Sequence, residues 1–222
     1  MSFILLNVLL AALPSLIILY YFYRRDRYKR EPAGLLLKTF FIGFAAVLPA
    51  ALIELLIESL QLFTAPLPRA FFRAFVVAAL VEEGVKLKVV QSVVLSRPEF
   101  DEYSDGIIYT IAASLGFAFF ENIFYSFGPP AVLLIRGVTA VPLHASASGV
   151  MGYYIGRAKF AEPGAAKWGL LFAVLIHGLY DLFLFLGGWI SILVLPVLGL
   201  SIMRVLQLWN KAVENDRERR IP

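Results

Sequence analysis

Residues 4–21 read ILLNVLLAALPSLIILYY, without one charged side chain, and after Phe22-Tyr23 comes Arg24-Arg25-Asp26-Arg27-Tyr28-Lys29-Arg30. A helix that crosses a bilayer needs roughly 20 mostly apolar residues, so this stretch reads as a span. A secretory signal places its positive charge ahead of the apolar run. Here no charge precedes the run and the five basic residues come after it. The stretch therefore reads as a retained first span, with its N-terminus outside and its basic end in the cytoplasm.

Working outward, the same pattern recurs. Of 222 residues, 60% are hydrophobic and 16% charged, and the mean hydropathy is +0.79. Soluble domains run at about 45–50% apolar and about 25% charged, which excludes a water-soluble single core. Apolar runs near 3–23, 35–58, 70–95, 106–127, 131–156, 169–187 and 188–208 predict an all-α, polytopic transmembrane bundle of about seven spans. The last two are separated only by Gly187-Gly188 and could form one broken or re-entrant helix. A single integral membrane domain over 1–222 is expected, with 209–222 as a cytoplasmic tail. Alternating the spans puts the first loop, the loop with Arg157, Lys159 and Lys167, and the tail with Lys211, Arg217, Arg219 and Arg220 on one side. That side should be the cytoplasm, which sets the N-terminus out and the C-terminus in.

Charge and cysteine content narrow the function classes. The net charge is +4 and the pI about 9.3, but the basic residues cluster beside apolar spans. They fit a bilayer rather than a nucleic acid. The absence of cysteine excludes disulfide frameworks, iron–sulfur clusters and thiol catalysis. Two loops carry turn chemistry. Arg97-Pro98 ends the third span and Gly128-Pro129-Pro130 separates the fourth from the fifth, because proline cannot continue a helix. Ser104 or Asp105 is placed to cap the fourth helix.

Polar residues inside the spans need a reason, since a charge at mid-membrane costs roughly 2.5–3.5 kcal/mol on insertion scales. The third span holds Glu82, Glu83 and Lys86, the fourth Glu121 and Asn122, the fifth His144, and the sixth His177 and Asp181. His177 and Asp181 stand one helical turn apart, as do Glu82 and Lys86, while Glu83 and Lys86 are i, i+3. Lys86 can neutralise one of the two adjacent carboxylates. Glu82 and Glu83 point about 100° apart, so one is expected to act chemically and the other to support it. At 1.5 Å per residue these groups fall in a band roughly 9–20 Å below the outer surface. Four helices thus deliver ionisable groups to one layer. Other polar positions have plainer readings. Glu54 and Glu58 can pair with Arg69 or Arg73, and Ser148, Gly152 and Gly156, on the His144 stripe, permit close helix packing.

The band's residue types suit peptide-bond hydrolysis. A partly desolvated carboxylate can act as general base on water, and an imidazole can stabilise an oxyanion or move a proton. There is no His-Glu-x-x-His motif, no Gly-x-Gly-Asp motif and no phosphate-binding glycine loop. The expected catalytic set is Glu82, Glu83, Glu121, His144, His177 and Asp181, supported by Lys86 and Asn122, with no cofactor. A zinc-dependent version would use Glu82, Glu121, His144 and His177, whose donor atoms are acceptable zinc ligands. An ion-coupled transporter also concentrates ionisable groups at mid-membrane, but it predicts an internal repeat that the chain lacks. A silent membrane scaffold would keep histidines for packing without needing Glu82, Glu83 and Glu121 together.

Taken in order, Glu82-Glu83-x-x-Lys86, Phe117-x-x-x-Glu121-Asn122, His144 and His177-x-x-x-Asp181 resemble the PrsW family of intramembrane proteases. The resemblance extends to Arg30-Glu31-Pro32, Asp105-Gly106-Ile107-Ile108-Tyr109 and Gly156-Arg157-Ala158-Lys159-Phe160, and covers roughly residues 10–190. That family is similar in turn to the CAAX prenyl proteases, although Glu121 stands where their second motif has His and Asp181 where their last has Asn. The resemblance implies proteolysis of a single-span membrane protein near the extracytoplasmic face, as in the first cut of an anti-sigma factor. It also implies a prokaryotic plasma membrane location.

Overall fold

The computed structural model describes residues 3–26 and 29–220, omitting the side chains of residues 3–5 and 220. Arg27 and Tyr28, part of the basic first loop, lie outside the described residues. Every regular element among them is helical: α1 (Phe3–Arg25), α2 (Ala33–Ala45), α3 (Val47–Ser59), α4 (Pro66–Phe72), a π-helical segment (Arg73–Leu80), α5 (Val81–Val93), α6 (Tyr103–Tyr125), α7 (Pro130–Val138), α8 (Ala140–Phe160), α9 (Ala165–Leu186), a 3-10 segment (Gly188–Leu193) and α10 (Val194–Arg220).

Prolines and glycines punctuate these helices. Pro66 and Pro130 begin α4 and α7, where a missing N–H costs nothing. Pro142 withholds an N–H from the carbonyl of Val138, and the run expected as one span over 131–156 bends there, dividing into α7 and α8 at Thr139. Gly187 and Gly188 both take positive φ, 66° and 58°, which glycine alone adopts at no steric cost. They break α9 from the 3-10 segment. The stretch 209–220, expected as a tail, continues α10 and packs against the bundle, with Trp209, Ala212 and Asp216 buried.

Successive rods run antiparallel. At one end Asn7 of α1 donates to the carbonyl of Ser126 after α6 (2.7 Å), and Glu58 of α3 meets Arg69 of α4. At the other end Tyr109 of α6 donates to Glu31, and Asp216 of α10 accepts from the Tyr103 N–H (2.5 Å). Six segments are long and apolar enough to cross a membrane: Leu6–Arg25, Ala33–Ser59, Tyr103–Tyr125, Pro130–Phe160, Ala165–Leu186 and Gly188–Arg219. The remaining rod, Pro66–Val93, matches them in length but carries Arg69, Arg73, Glu82, Glu83, Lys86 and Lys88. The outward faces present Leu9, Leu13, Ile17, Leu48, Leu52, Leu55 and Leu200, as a lipid-facing bundle requires and a water-soluble one avoids.

The core is built on α6, buried along most of its length. Small residues let its neighbours approach at backbone distance. A Cβ at Gly106 would fall on the backbone of Gly152 in α8, and one at Gly152 would fall on Gly106 in return; a Cβ at Gly116 would fall on the carbonyl of Phe40 in α2. A Cβ at Gly156 would likewise fall on the carbonyl of Tyr103, so Gly152 and Gly156 have the packing role expected of them. The cap of α6 lies slightly earlier than expected. Glu102 is the N-cap, and Asp105, at the third helical position, closes a capping box by accepting from the Glu102 N–H at 2.6 Å.

Candidate active site

The site begins with α5. Lys86 lies one turn after both Glu82 and Glu83, and its ammonium reaches three acceptors: Glu82 Oε2 at 3.1 Å, Glu83 Oε1 at 2.7 Å and His144 Nδ1 at 3.0 Å. An ammonium has three hydrogens and no acceptor, so all its donors are used. Its charge also lies 4.5 Å from the centre of the Phe117 ring, a cation–π contact. Lys86, expected to neutralise one of the two adjacent carboxylates, hydrogen-bonds both. Glutamate side chains are long enough to span the 100° between positions 82 and 83 and converge on one cation.

From Lys86 the donor–acceptor chemistry propagates. His144 Nδ1 faces a group that can only donate, so it accepts, and the ring proton sits on Nε2. That Nε2 points at Glu121 Oε2, 2.8 Å away. Glu83 is enclosed: Oε1 takes Lys86 and His177 Nδ1 (3.0 Å), and Oε2 takes the Ser148 hydroxyl (2.6 Å). His177 therefore carries a proton on Nδ1, and its Nε2 faces Asp181 Oδ2 at 3.4 Å and Glu82 Oε2 at 4.0 Å. These three atoms are all acceptors unless a proton, a water or a cation lies among them. The stronger hydrogen bond orienting His177 is thus the one to Glu83, with Asp181 on the opposite ring nitrogen.

Exposure grades across the cluster. The side chains of Lys86 and Glu83 are 0% exposed, Glu82 8%, Asp181 16% and Glu121 24%. Lys86 and Glu83 form a floor, and Glu82 is the glutamate of the pair that reaches the open side. The two imidazoles stand edge to face, 5.0 Å apart. Every residue of the expected set is brought together: Glu82, Glu83, Glu121, His144, His177, Asp181, Lys86 and Asn122.

Four contributors do not stand out in the sequence. Arg136 of α7 donates from Nε to Asn122 Oδ1 at 2.7 Å and lies 3.4 Å from Glu121 Oε2. By sequence it is a span-edge cation, and the signal pointing further is its position a few residues past a double proline, on a short helix that can fold back. Ser148, which reads as part of a packing stripe, binds Glu83, and Ser114 donates to the His144 carbonyl at 2.8 Å. The fourth contributor is the π-helical segment Arg73–Leu80, which leads into Glu82 and Glu83. Such segments are rare and frequent at functional sites. It lies so close to α9 that a Cβ at Gly178, beside His177, would overlap the Phe75 ring. Of the outer pair, Glu58 binds Arg69 at 2.8 Å and Arg73 at 3.3 Å as expected, whereas Glu54 does not.

The donor set also suits a divalent ion. One ligand atom each from Glu82, His144 and His177 lies within 4.8 Å of the others, and two imidazoles with one carboxylate make a catalytic zinc set. Glu121, named with these three for a zinc-dependent version, is not in the group. It faces the far nitrogen of His144. Lys86, donating to Glu82 and His144, is the residue that an ion would have to displace.

Comparisons with known proteins bear on this geometry. Residues 31–207 match the model of the family described as "PrsW family intramembrane metalloprotease". The chain is 35% identical over 183 residues to a protein named Protease PrsW from Bacillus subtilis (strain 168), covering 80% of this chain and 82% of that one. To Protease PrsW from Geobacillus kaustophilus (strain HTA426) it is 37% identical, covering 76% and 75%. To Protease PrsW from Clostridioides difficile (strain 630) it is 34% identical, covering 90% and 86%. No solved structure matches it. The motif spacing, the convergence of those motifs in one cluster and a family match over most of the chain agree, and the chain belongs to the PrsW family of intramembrane proteases.

Proposed function

We propose that the chain hydrolyses a peptide bond of a single-span membrane protein near the extracytoplasmic face, using a water activated by Glu82. The observation that carries this reading is the division of labour within the Glu82–Glu83 pair. Glu83 is saturated by Lys86, His177 and Ser148, whereas Glu82 has only Lys86 as a close partner and faces both imidazoles. A carboxylate beside two rings, on the more open side of an enclosed floor, is placed to take a proton from water.

In this mechanism water attacks the scissile carbonyl and Glu82 takes its proton. His177, held by Glu83 and protonated on both ring nitrogens, offers Nε2–H to the developing oxyanion. The proton on Glu82 then passes to the departing amine. His144 links Lys86 to Glu121, with Arg136 beyond, so charge can redistribute without moving a helix. In a metal-dependent form, which the donor geometry and the family description favour as a second reading, Glu82, His144 and His177 would hold a zinc ion. That ion would supply Lewis acidity and lower the pKa of a bound water.

The orientation proposed is N-terminus out and C-terminus in, across a prokaryotic plasma membrane. It is supported by the basic residues gathered at the end of the bundle opposite the site. An anti-sigma factor is the substrate class that the family resemblance suggests. Purified chain in vesicles, incubated with candidate single-span proteins, should cleave one of them, and Glu82→Gln should not. Full cleavage by Glu82→Gln removes Glu82 from the chemistry. Elemental analysis of the purified chain, with activity measured after chelation, separates the two forms.

A further inference from the structure

The cations that reach the site are spent. Lys86 turns its three hydrogens to Glu82, Glu83 and His144, and Arg136 binds Asn122 and Glu121. Near the end of the bundle, Glu58 holds Arg69 and Arg73. Between these two paired sets lies Glu54, which makes no hydrogen bond or ion pair among the described residues.

Its placement comes from the α3 register. Val47 and Ala50 pack with Phe117 of α6 and against Val81 and Val85 of α5. Glu54, at i+7 and i+4 from them, shares that inward face. Its strongest electrostatic neighbours are Glu82 and Glu121, both of its own sign, ahead of Lys86 and His177. On the other face of α3, Leu48, Leu52, Leu55 and Leu56 are 60–69% exposed, as lipid-facing side chains are. Glu54 thus stands where a helix arriving from the lipid along α3 would meet the site. An ionisable group at this depth is costly unless a partner answers it. The chain supplies no such partner among the described residues, and the neighbouring carboxylates raise the demand for one.

We propose that Glu54 is a specificity-determining residue that binds a Lys or Arg side chain of the membrane-anchored substrate, close to the scissile bond. It depends on the proteolytic reading only in taking the bound span to be a substrate. Lys and Arg favour the cytoplasmic ends of spans, so one at an outer end sets a span apart, and its side chain has the reach to extend an ammonium or guanidinium from an apolar helix. Pairing with Glu54 then selects which spans are held long enough to be cut.

The test uses full-length chain in phosphatidylcholine vesicles, whose net-neutral surface adds no charge preference. Three fluorescent single-span reporters differ only in carrying Lys, Gln or Glu at the residues flanking the outer end of the span. Binding is measured by energy transfer on a Glu82→Gln background, so that reporters stay intact, and cleavage is measured with Glu82 present. The Lys reporter should bind about tenfold more tightly than the Glu reporter. Glu54→Gln should level the three, and Glu54→Lys should reverse the order, a gain that a misfolded chain could not show. Equal binding of all three reporters, or a preference that survives Glu54→Gln, overturns the proposal. So does an equal loss of cleavage of all three in Glu54→Gln, which would put Glu54 in the chemistry. A charge preference abolished by Glu54→Gln, with no reporter cleaved, would support the cation site and count against the proteolytic reading.

Discussion

Both ends of the bundle bury carboxylates, and they do different things. At the end away from the site, Asp216 accepts from Tyr103 N–H, Ser104 N–H and the Ser104 hydroxyl. Asp105 accepts from the Asp101 and Glu102 N–H groups, and Glu31 from Tyr109. These acids satisfy the free N–H groups at the start of α6 and tie α10 and the first loop to it. At the site end, Glu82, Glu83 and Glu121 meet imidazoles, an ammonium and a guanidinium instead. Burial of charge therefore does not by itself mark a catalytic centre. Imidazole partners, which exchange protons near neutral pH, mark it; backbone amides, a hydroxyl and a phenol mark a joint.

Four measurements would break or sharpen that contrast. The largest effect is expected at Glu82. Glu82→Gln should lower the rate about 10²–10⁴-fold, as removal of a general base does, with an unchanged thermal midpoint in detergent. A parallel loss of stability would make Glu82 a joint as well. Next comes Lys86→Met, which leaves two carboxylates buried without their cation. A cost of about 3–5 kcal/mol should appear as loss of monodisperse protein, and the double variant Glu83→Gln/Lys86→Met should recover part of it. No recovery would mean that Lys86 acts by packing alone.

At the opposite end, Asp216→Ala should cost about 0.5–2 kcal/mol, the range for a lost helix cap, while activity per folded molecule holds. A rate loss matching a catalytic variant would erase the distinction between the ends. The smallest effect concerns Glu31, which lies outside the spans. Burial is the first cause pushing its pKa up from the ordinary carboxylate value, with the like charges of Asp26 and Asp101 adding to it and hydrogen bonds to Asp105 and Tyr109 opposing. The folded chain then holds a proton that the unfolded chain releases, so this contribution is fully present at low pH and is lost as pH rises through the raised value. Thermal midpoints taken at about pH 4.5, near the ordinary carboxylate value, and at about pH 8 should therefore fall with pH in the native chain and fall less in Glu31→Gln. Equal slopes would place Glu31 outside the linkage.

Much of the site is legible in the sequence, because a membrane makes polar residues conspicuous. Glu82, Glu121, His144, His177 and Asp181 stand out against apolar runs, and helical rise alone puts them in one layer. Arg136 and Ser148 are not legible in the same way. A cation at a span edge and a serine on a small-residue stripe each have a common alternative use, and only packing chooses between them. The angular separation of Glu82 and Glu83 poses a division between them but does not assign it, since the assignment depends on Ser148 and His177 arriving from other helices.

Residue order determined that this protein is a helical membrane bundle with acids and imidazoles at one depth, because hydropathy and the 1.5 Å rise are properties of a single chain segment. Tertiary structure decided which group each histidine nitrogen faces, which glutamate is enclosed and which stands open, and that Glu54 lacks a counter-charge among the described residues. Those outcomes turn on distances of about 3 Å between different helices, and hydrogen bonding falls off over a fraction of that length.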